Sequence, residues 1–227
     1  MRRLRQIVLA AVAVALCVAP VAGAHDPHKD RRDAVVAPAK DKWLGEFWAQ
    51  IYSLPVPENP FAGNGNPCLT VGHKVIQAVP GPCTVREGTA LTLGFGTAWS
   101  SAEDPFPQTR REQLALARAA DQELVAGMTV TVDGGDPVEI RTRRFELFSP
   151  QRTVLLPEDN ILDFPEENID VPAQTVTLSA HGWGAVIRKL RVGEHTIVGD
   201  TLFADGEHFV VEHVVTVVPR DDPSRNH

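Results

Sequence analysis

The sequence predicts a mainly β protein, an antiparallel β-sandwich of jelly-roll or Ig-like type with two flanking helices at about 41–53 and 109–126. Three observations carry this. From Leu69 onward, apolar and polar residues alternate with a period of two in seven or more short runs, as expected of strands with one buried face. Turns rich in Gly, Pro, Asn and Asp break these runs at regular spacing, as in sandwich folds. Only two segments carry helical spacing instead.

The chain opens with Arg2, Arg3 and Arg5, an apolar run from Ile7 to Val18, and Ala22-Gly23-Ala24. This order predicts a signal peptide over 1–24, cleaved before His25, and hence a secreted or extracytoplasmic protein. A retained anchor is the alternative, but no stop-transfer pattern follows, so no membrane span is expected after cleavage. Lipidation at Cys17 would want a small residue before it, and Leu16 stands there. Loss of the signal leaves 19 basic against 29 acidic side chains, a net charge of about −10, which argues against nucleic acid and anionic membranes as partners. Arginine outnumbers lysine, a bias that suits a GC-rich bacterial genome.

Residues 25–40 are charged, proline-containing and aperiodic, and predict a disordered leader ahead of a single domain at 41–219; 220–227 reads as a flexible tail. In "DKWLGEFWAQIYS", Trp43, Leu44, Phe47, Trp48 and Ile51 recur at three and four residues, giving an amphipathic helix. Such an aromatic stripe serves either as a ligand platform or, more often, as the face that docks on the core. Asn64-Gly65-Asn66 lacks the alternate carboxylates of a calcium loop and reads as a turn. "LTVGHKVIQAV", "CTV" and "TALTLGFGTAW" read as strands, with Gly94 and Gly96 marking a bulge or a close backbone approach. The second helix carries Leu114, Ala117, Leu124 and Val125 on its apolar side. "MTVTVDGGDPVEIRTRRFELF" predicts a hairpin about Asp133–Asp136. A loop spans 150–172, "QTVTLSAHGWGAVIRKL" is expected to bend at Gly182-Trp183-Gly184, and two strands close the chain.

Cys68 and Cys83 are the two cysteines left after the signal, and in an exported chain they predict a disulfide. Zinc would need more ligands than these two and His73 supply; no metal and no cofactor is predicted.

The dipeptides Glu194-His195, Glu207-His208 and Glu212-His213 resemble an acid/base or metal centre. In strands, however, adjacent residues face opposite ways. His213 shares a face with Phe209, Val211, Val215 and Val217 and is expected inside, while His208 and Glu212 face outward, about 13 Å apart at strand rise. The run also misses the H-x-x-E-H metalloprotease spacing by one residue. Histidines drawn from separate strands (His181, His195, His208 or His213) remain an alternative metal set.

No G-x-S-x-G elbow surrounds Ser100-Ser101, and no Walker loop or dinucleotide fingerprint occurs. Glu103 with Asp104, or Glu158 with Asp159, are loop-borne carboxylates, but adjacent residues rarely form the opposed pair of a glycosidase. As ligand-binding candidates the sequence offers Trp99, Glu103 and Asp104 in "AWSSAED", and His181 with Trp183. Trp99 would stack on a ligand or pack in the core; Trp183 would be the tip of a hairpin.

"LRVGEHTI" resembles the L-x-x-G-x-[HY]-x-[IV] corner of many secreted β-sandwich domains. The resemblance implies that Leu190 and Ile197 pack inward, Gly193 turns, and His195 holds the position often taken by tyrosine. More widely, the order of an aromatic helix, Ser53-Leu54-Pro55, Asn59-Pro60, Cys68, "CTVREGTAL", "VDGGDPV" and "GEHTI" resembles a family of secreted bacterial proteins of no established activity. The strand after Cys83 departs from it, being less aromatic. The resemblance implies export and fold and assigns no catalytic residue. The expectation is therefore an exported, non-enzymatic binding or cell-surface protein with an extracellular ligand or surface polymer as partner. The alternative is an extracellular hydrolase with a site assembled across strands, possibly metal-dependent.

Overall fold

The computed structural model describes residues 34–62, 65–72, 75–78, 81–163 and 171–220. The predicted signal peptide, most of the leader, His73, Asn64 and the tail from 221 lie outside the described residues.

The expected first helix is α1 (Asp41–Ser53). Its stripe of Trp43, Phe47 and Ile51 is buried in a cluster with Leu147, Leu156, Leu178, Ala180 and Val186, so the aromatics dock on the core. The second helix, α2 (Arg110–Leu124), starts at a capping box in which the Glu112 N–H bonds Thr109 Oγ1 and the Thr109 N–H bonds Glu112 Oε2.

The described strands are β1 (Val35–Pro38), β2 (Cys68–Val71), β3 (Val75–Ala78), β4 (Cys83–Arg86), β5 (Ala90–Ser100), β6 (Val125–Val132), β7 (Val138–Glu139), β8 (Glu146–Phe148), β9 (Arg152–Leu156), β10 (Gln174–Arg188), β11 (Gly193–Phe203) and β12 (His208–Val218). They form two packed sheets, a β-sandwich. One sheet runs β1-β10-β5-β3-β2, with β8 and β9 also pairing to β10; the other runs β4-β12-β11-β6-β7. Pairing is antiparallel except for β3 with β5 and β4 with β12, which are parallel.

Strand β10 organises the molecule. With side chains alternating, Val176, Leu178, Ala180 and Val186 face the α1 cluster. Trp183, Ala185 and Ile187 face the second sheet, packed with Leu91, Leu93, Val130, Ile197, Val215 and Val217. Between them, Ser179 and His181 face α2. A strand covered on both sides at once cannot show a simple alternation, which is why its end was harder to read than its start.

Four expectations need correction. Val35–Pro38 is not leader but β1, paired with Ala185–Arg188. Gly182-Trp183-Gly184 is no hairpin tip: β10 runs straight through, and Gly182 pairs with Gly96 and Gly184 with Gly94. A Cβ on Gly96 would strike the His181 carbonyl, and one on Gly182 the Phe95 carbonyl, so these glycines serve close backbone approach. The segment 150–172 contains β9, whose Val154 and Leu156 are buried under α1. Finally, the hairpin about Asp133 forms, but its second strand ends after Glu139. Glu139 Oε1 accepts the Arg141 N–H, ending the ladder, and the chain crosses to pair β8 with β10 in the other sheet.

The Cys68–Cys83 disulfide joins β2 of one sheet to β4 of the other, with 5.7 Å between Cα atoms. Among the described residues no helix is long and apolar enough to cross a membrane.

Candidate functional site

The crossover builds the site. Ile140 and Phe145 are buried anchors, 0% and 4% exposed, and a turn closed by the Phe145 N–H on the Thr142 carbonyl separates them. Between the anchors the "RTRR" run projects outward. With Arg118 and Gln122 of α2, Arg141, Thr142, Arg143, Glu146, Phe148 and Trp183 line an open cleft of about 690 Å³.

Two of its arginines lie over aromatic rings: Arg118 over Phe148 at 5.5 Å and Arg141 over Trp183 at 5.1 Å. Stacking of this kind fixes a guanidinium plane while leaving its N–H edges free to bond. Arg118 is paired with Glu146 at 3.3 Å. Beneath Glu146 lies His181, fully buried, with Nε2 3.2 Å from Glu146 Oε1 and Nδ1 2.7 Å from Asp121 Oδ2. Asp121 is itself fully buried. Burial pushes its carboxyl above the ordinary range, and the hydrogen bond and attraction of His181 oppose that rise. A histidine flanked by two carboxylates satisfies both only with protons on both nitrogens or with one carboxyl itself protonated.

Asp121 reaches His181 because the inner stripe of α2 is only partly the predicted one: Ala117 and Val125 are buried as expected, but the stripe also includes polar residues. Gln113, Ala117, Ala120 and Asp121 are buried, whereas Leu114 and Leu124 are half-buried. Gln113 bonds Thr177 and Ser179, and Thr97 donates to the Ala117 carbonyl. The helix is held by polar contacts over alanines. Its signal was present in the sequence as polar residues eight apart around Ala117, as was the arginine run in an acidic chain.

Of the predicted site residues, the structure brings His181 and Trp183 together at this cleft: Trp183 lines it and His181 lies behind it. The expected "AWSSAED" group lines no part of it. Trp99 is half-buried on the α2 side of β5, paired with Ser179. Glu103 turns inward, accepting from the Ser100 N–H at 2.7 Å and the Tyr52 hydroxyl at 3.0 Å. Asp104 is exposed. Burial raises the Glu103 carboxyl despite those hydrogen bonds, and burial beside Glu103 keeps the Tyr52 hydroxyl protonated well above the usual phenol range. A carboxyl raised on folding contributes stability that is full below its unfolded value of about 4.3 and is lost as pH rises through the folded value. Glu103→Gln, which keeps an acceptor without the charge, should therefore raise stability near neutral pH and leave it unchanged in acid. Urea unfolding at the two pH values checks this; a gain of equal size at both would refute it.

The Glu-His dipeptides are strand features. His213 is 2% exposed and His208 is exposed, bonded to Asp200 at 2.8 Å. His195 sits 2.8 Å from the Arg191 carbonyl and 2.8 Å from Asp133 Oδ2, while Gly193 has φ +138° and Leu190 and Ile197 are buried. This is the corner the sequence implied. Among the described residues no three His, Cys, Asp or Glu side chains are grouped to hold a metal ion.

No family model and no curated protein matches the chain. Among solved structures, the solution structure of amebosin is similar at 11% identity over 60% of this chain and 88% of that one, with a TM-score of 0.21; a likeness of that size supports no functional argument.

Proposed function

We propose that this chain is an exported, non-enzymatic binding protein that holds an extracellular ligand in the cleft between α2 and the 140–146 crossover. The observation that carries the reading is the convergence there of Arg118 from α2, Arg141 and Arg143 from the crossover and Glu146 from β8, with Arg118 and Arg141 lying over aromatic rings. A concave site with few, fixed polar groups is the ordinary form of a ligand pocket. Export is supported by the Arg/apolar/Ala-Gly-Ala order, the disulfide and the resemblance to secreted bacterial proteins.

Binding is favoured over catalysis because His181 is fully buried with both nitrogens engaged, so it has no free nitrogen within reach of a substrate. The hydrolase reading draws on one specific feature. Asp121 and His181 stand behind Glu146, which would make it a general acid or base, but among the described residues no second carboxylate lines the cleft to complete a glycosidase pair.

The purified chain should be titrated with neutral and acidic oligosaccharides and short peptides while the Trp183 indole resonance is followed and the mixtures are assayed for products. Saturable shifts without turnover are expected. Turnover that disappears in Glu146→Gln would replace binding with hydrolysis, and no shift with any compound would sink the cleft as a site.

A further inference from the structure

We infer that the cleft selects an organic ligand carrying two carboxylates, one seated on Arg141 and one on Arg143. This rests on the cleft being the ligand site and names what enters it.

Three guanidiniums face the cleft against one carboxylate, Glu146, and that carboxylate is committed to Arg118 and His181. Among the described residues no carboxylate pairs with Arg141 or Arg143. The chain as a whole carries 29 acidic side chains against 22 basic ones, so a cleft lined by three guanidiniums and one carboxylate is locally opposite in sign to the rest of the molecule.

Arg141 is half-buried. Its Nε–H is buried and has no hydrogen-bond partner among the described residues, although an orphaned buried donor is costly. Its guanidinium lies over Trp183, so the ring blocks one face and the donors point along the plane. A guanidinium held flat in this way can present an edge of two parallel N–H donors to a carboxylate in the cleft.

The cleft also contains a working example. Glu146 shows a carboxylate seated here between an arginine and an imidazole. A phosphate fits less well. Compact dianions are commonly held by helix N-termini and backbone N–H nests, whereas α2 presents Arg118 and Gln122 from its C-terminal half. Charge spread over two planar groups matches two separate guanidiniums better than one dense anion does.

The test is isothermal titration of the purified full chain at low salt with a dicarboxylate series from malonate to adipate, with succinamide as the neutral analogue, and with inorganic phosphate. At least one dicarboxylate should bind saturably, more tightly than phosphate, with no heat from succinamide. Arg141→Gln and Arg143→Gln should each weaken it by at least about tenfold, the loss of one charged hydrogen-bonded partner. Arg143 is exposed, so its variant keeps the test intact if Arg141→Gln loosens Trp183. Phosphate binding as tightly as the best dicarboxylate, or dicarboxylate affinity unchanged in Arg143→Gln, overturns the inference. If succinamide shifts the Trp183 resonance while no dicarboxylate does, the cleft stands as a binding site and the carboxylate assignment falls; if none of these compounds binds while an oligosaccharide or peptide does, the carboxylate assignment alone falls.

Discussion

Replacing Asp121 with alanine is expected to remove about 2–4 kcal/mol of folding stability, the cost of leaving the buried His181 Nδ1 without its partner together with the space left behind. Both members of the Asp121–His181 pair have fully buried side chains. Truncating Asp121 leaves the Nδ1 of His181 without its acceptor in a fully buried space. It also unpins α2 from β10 where that helix has alanines rather than large apolar groups to hold it. Asp121→Asn should cost less, because the amide oxygen still accepts from Nδ1. In a double-mutant cycle with His181→Ala, the pair should show a coupling of about 1–3 kcal/mol. Urea unfolding at neutral pH gives these numbers. A loss under about 1 kcal/mol for Asp121→Ala, within the range of ordinary surface changes and weak bonds, would mean that the pair does not hold the helix. Because His181 also positions Glu146, Asp121→Ala should further loosen the Glu146–Arg118 contact at the cleft.

The elements that the sequence made legible are those whose burial is one-sided. Helix α1 buries one stripe, and its aromatics at three and four residues mark it to the residue. The final strand β12 buries Val215, Val217 and His213 and exposes His208, Val210 and Glu212, so parity alone placed both histidines. The corner at His195 was readable because a turn fixes its residues locally. What escaped were places where the environment changes within one element. β10 meets α1 on one face and then α2 and the second sheet in succession on the other, so its glycines resembled a bend. The "VEIRTRRFELF" run looked like one strand because nothing local announces that its two ends pair in different sheets. The cleft was legible only in part for the same reason: Trp183 and His181 were singled out, but Arg118, Asp121 and Glu146 join them through the crossover and the polar stripe of α2. Those are long-range consequences of topology.

Removing the disulfide is expected to lower stability by about 3 kcal/mol, since the bond closes a loop of about 15 residues in the unfolded chain and the two cysteines are 15 apart. Its position makes the loss local as well as global. Among the described residues β2 pairs only with β3, over four residue pairs, and β3 is tied to β5 by three parallel pairs. This two-strand flap forms one end of its sheet. It is also anchored by Leu69 and Val71 against the α1 cluster, by Gln50 Nε2 donating to the Thr70 carbonyl, and by the link through Cys68 to Cys83. Cys83 is 3% exposed and begins β4, which is packed into the inter-sheet core. Without the bond, β2 and β3 should open before the rest, since elements with few pairings and few buried contacts unfold at lower free energy. The Cys68→Ser/Cys83→Ser variant should therefore show a lower urea midpoint. Its amides in β2 and β3 should exchange faster, while those of β10 to β12 change only with global stability. Reductant should reproduce the loss in the wild type and do nothing to the double variant. A wild-type midpoint unmoved by reductant would show that the two sheets hold their ends together without the bond.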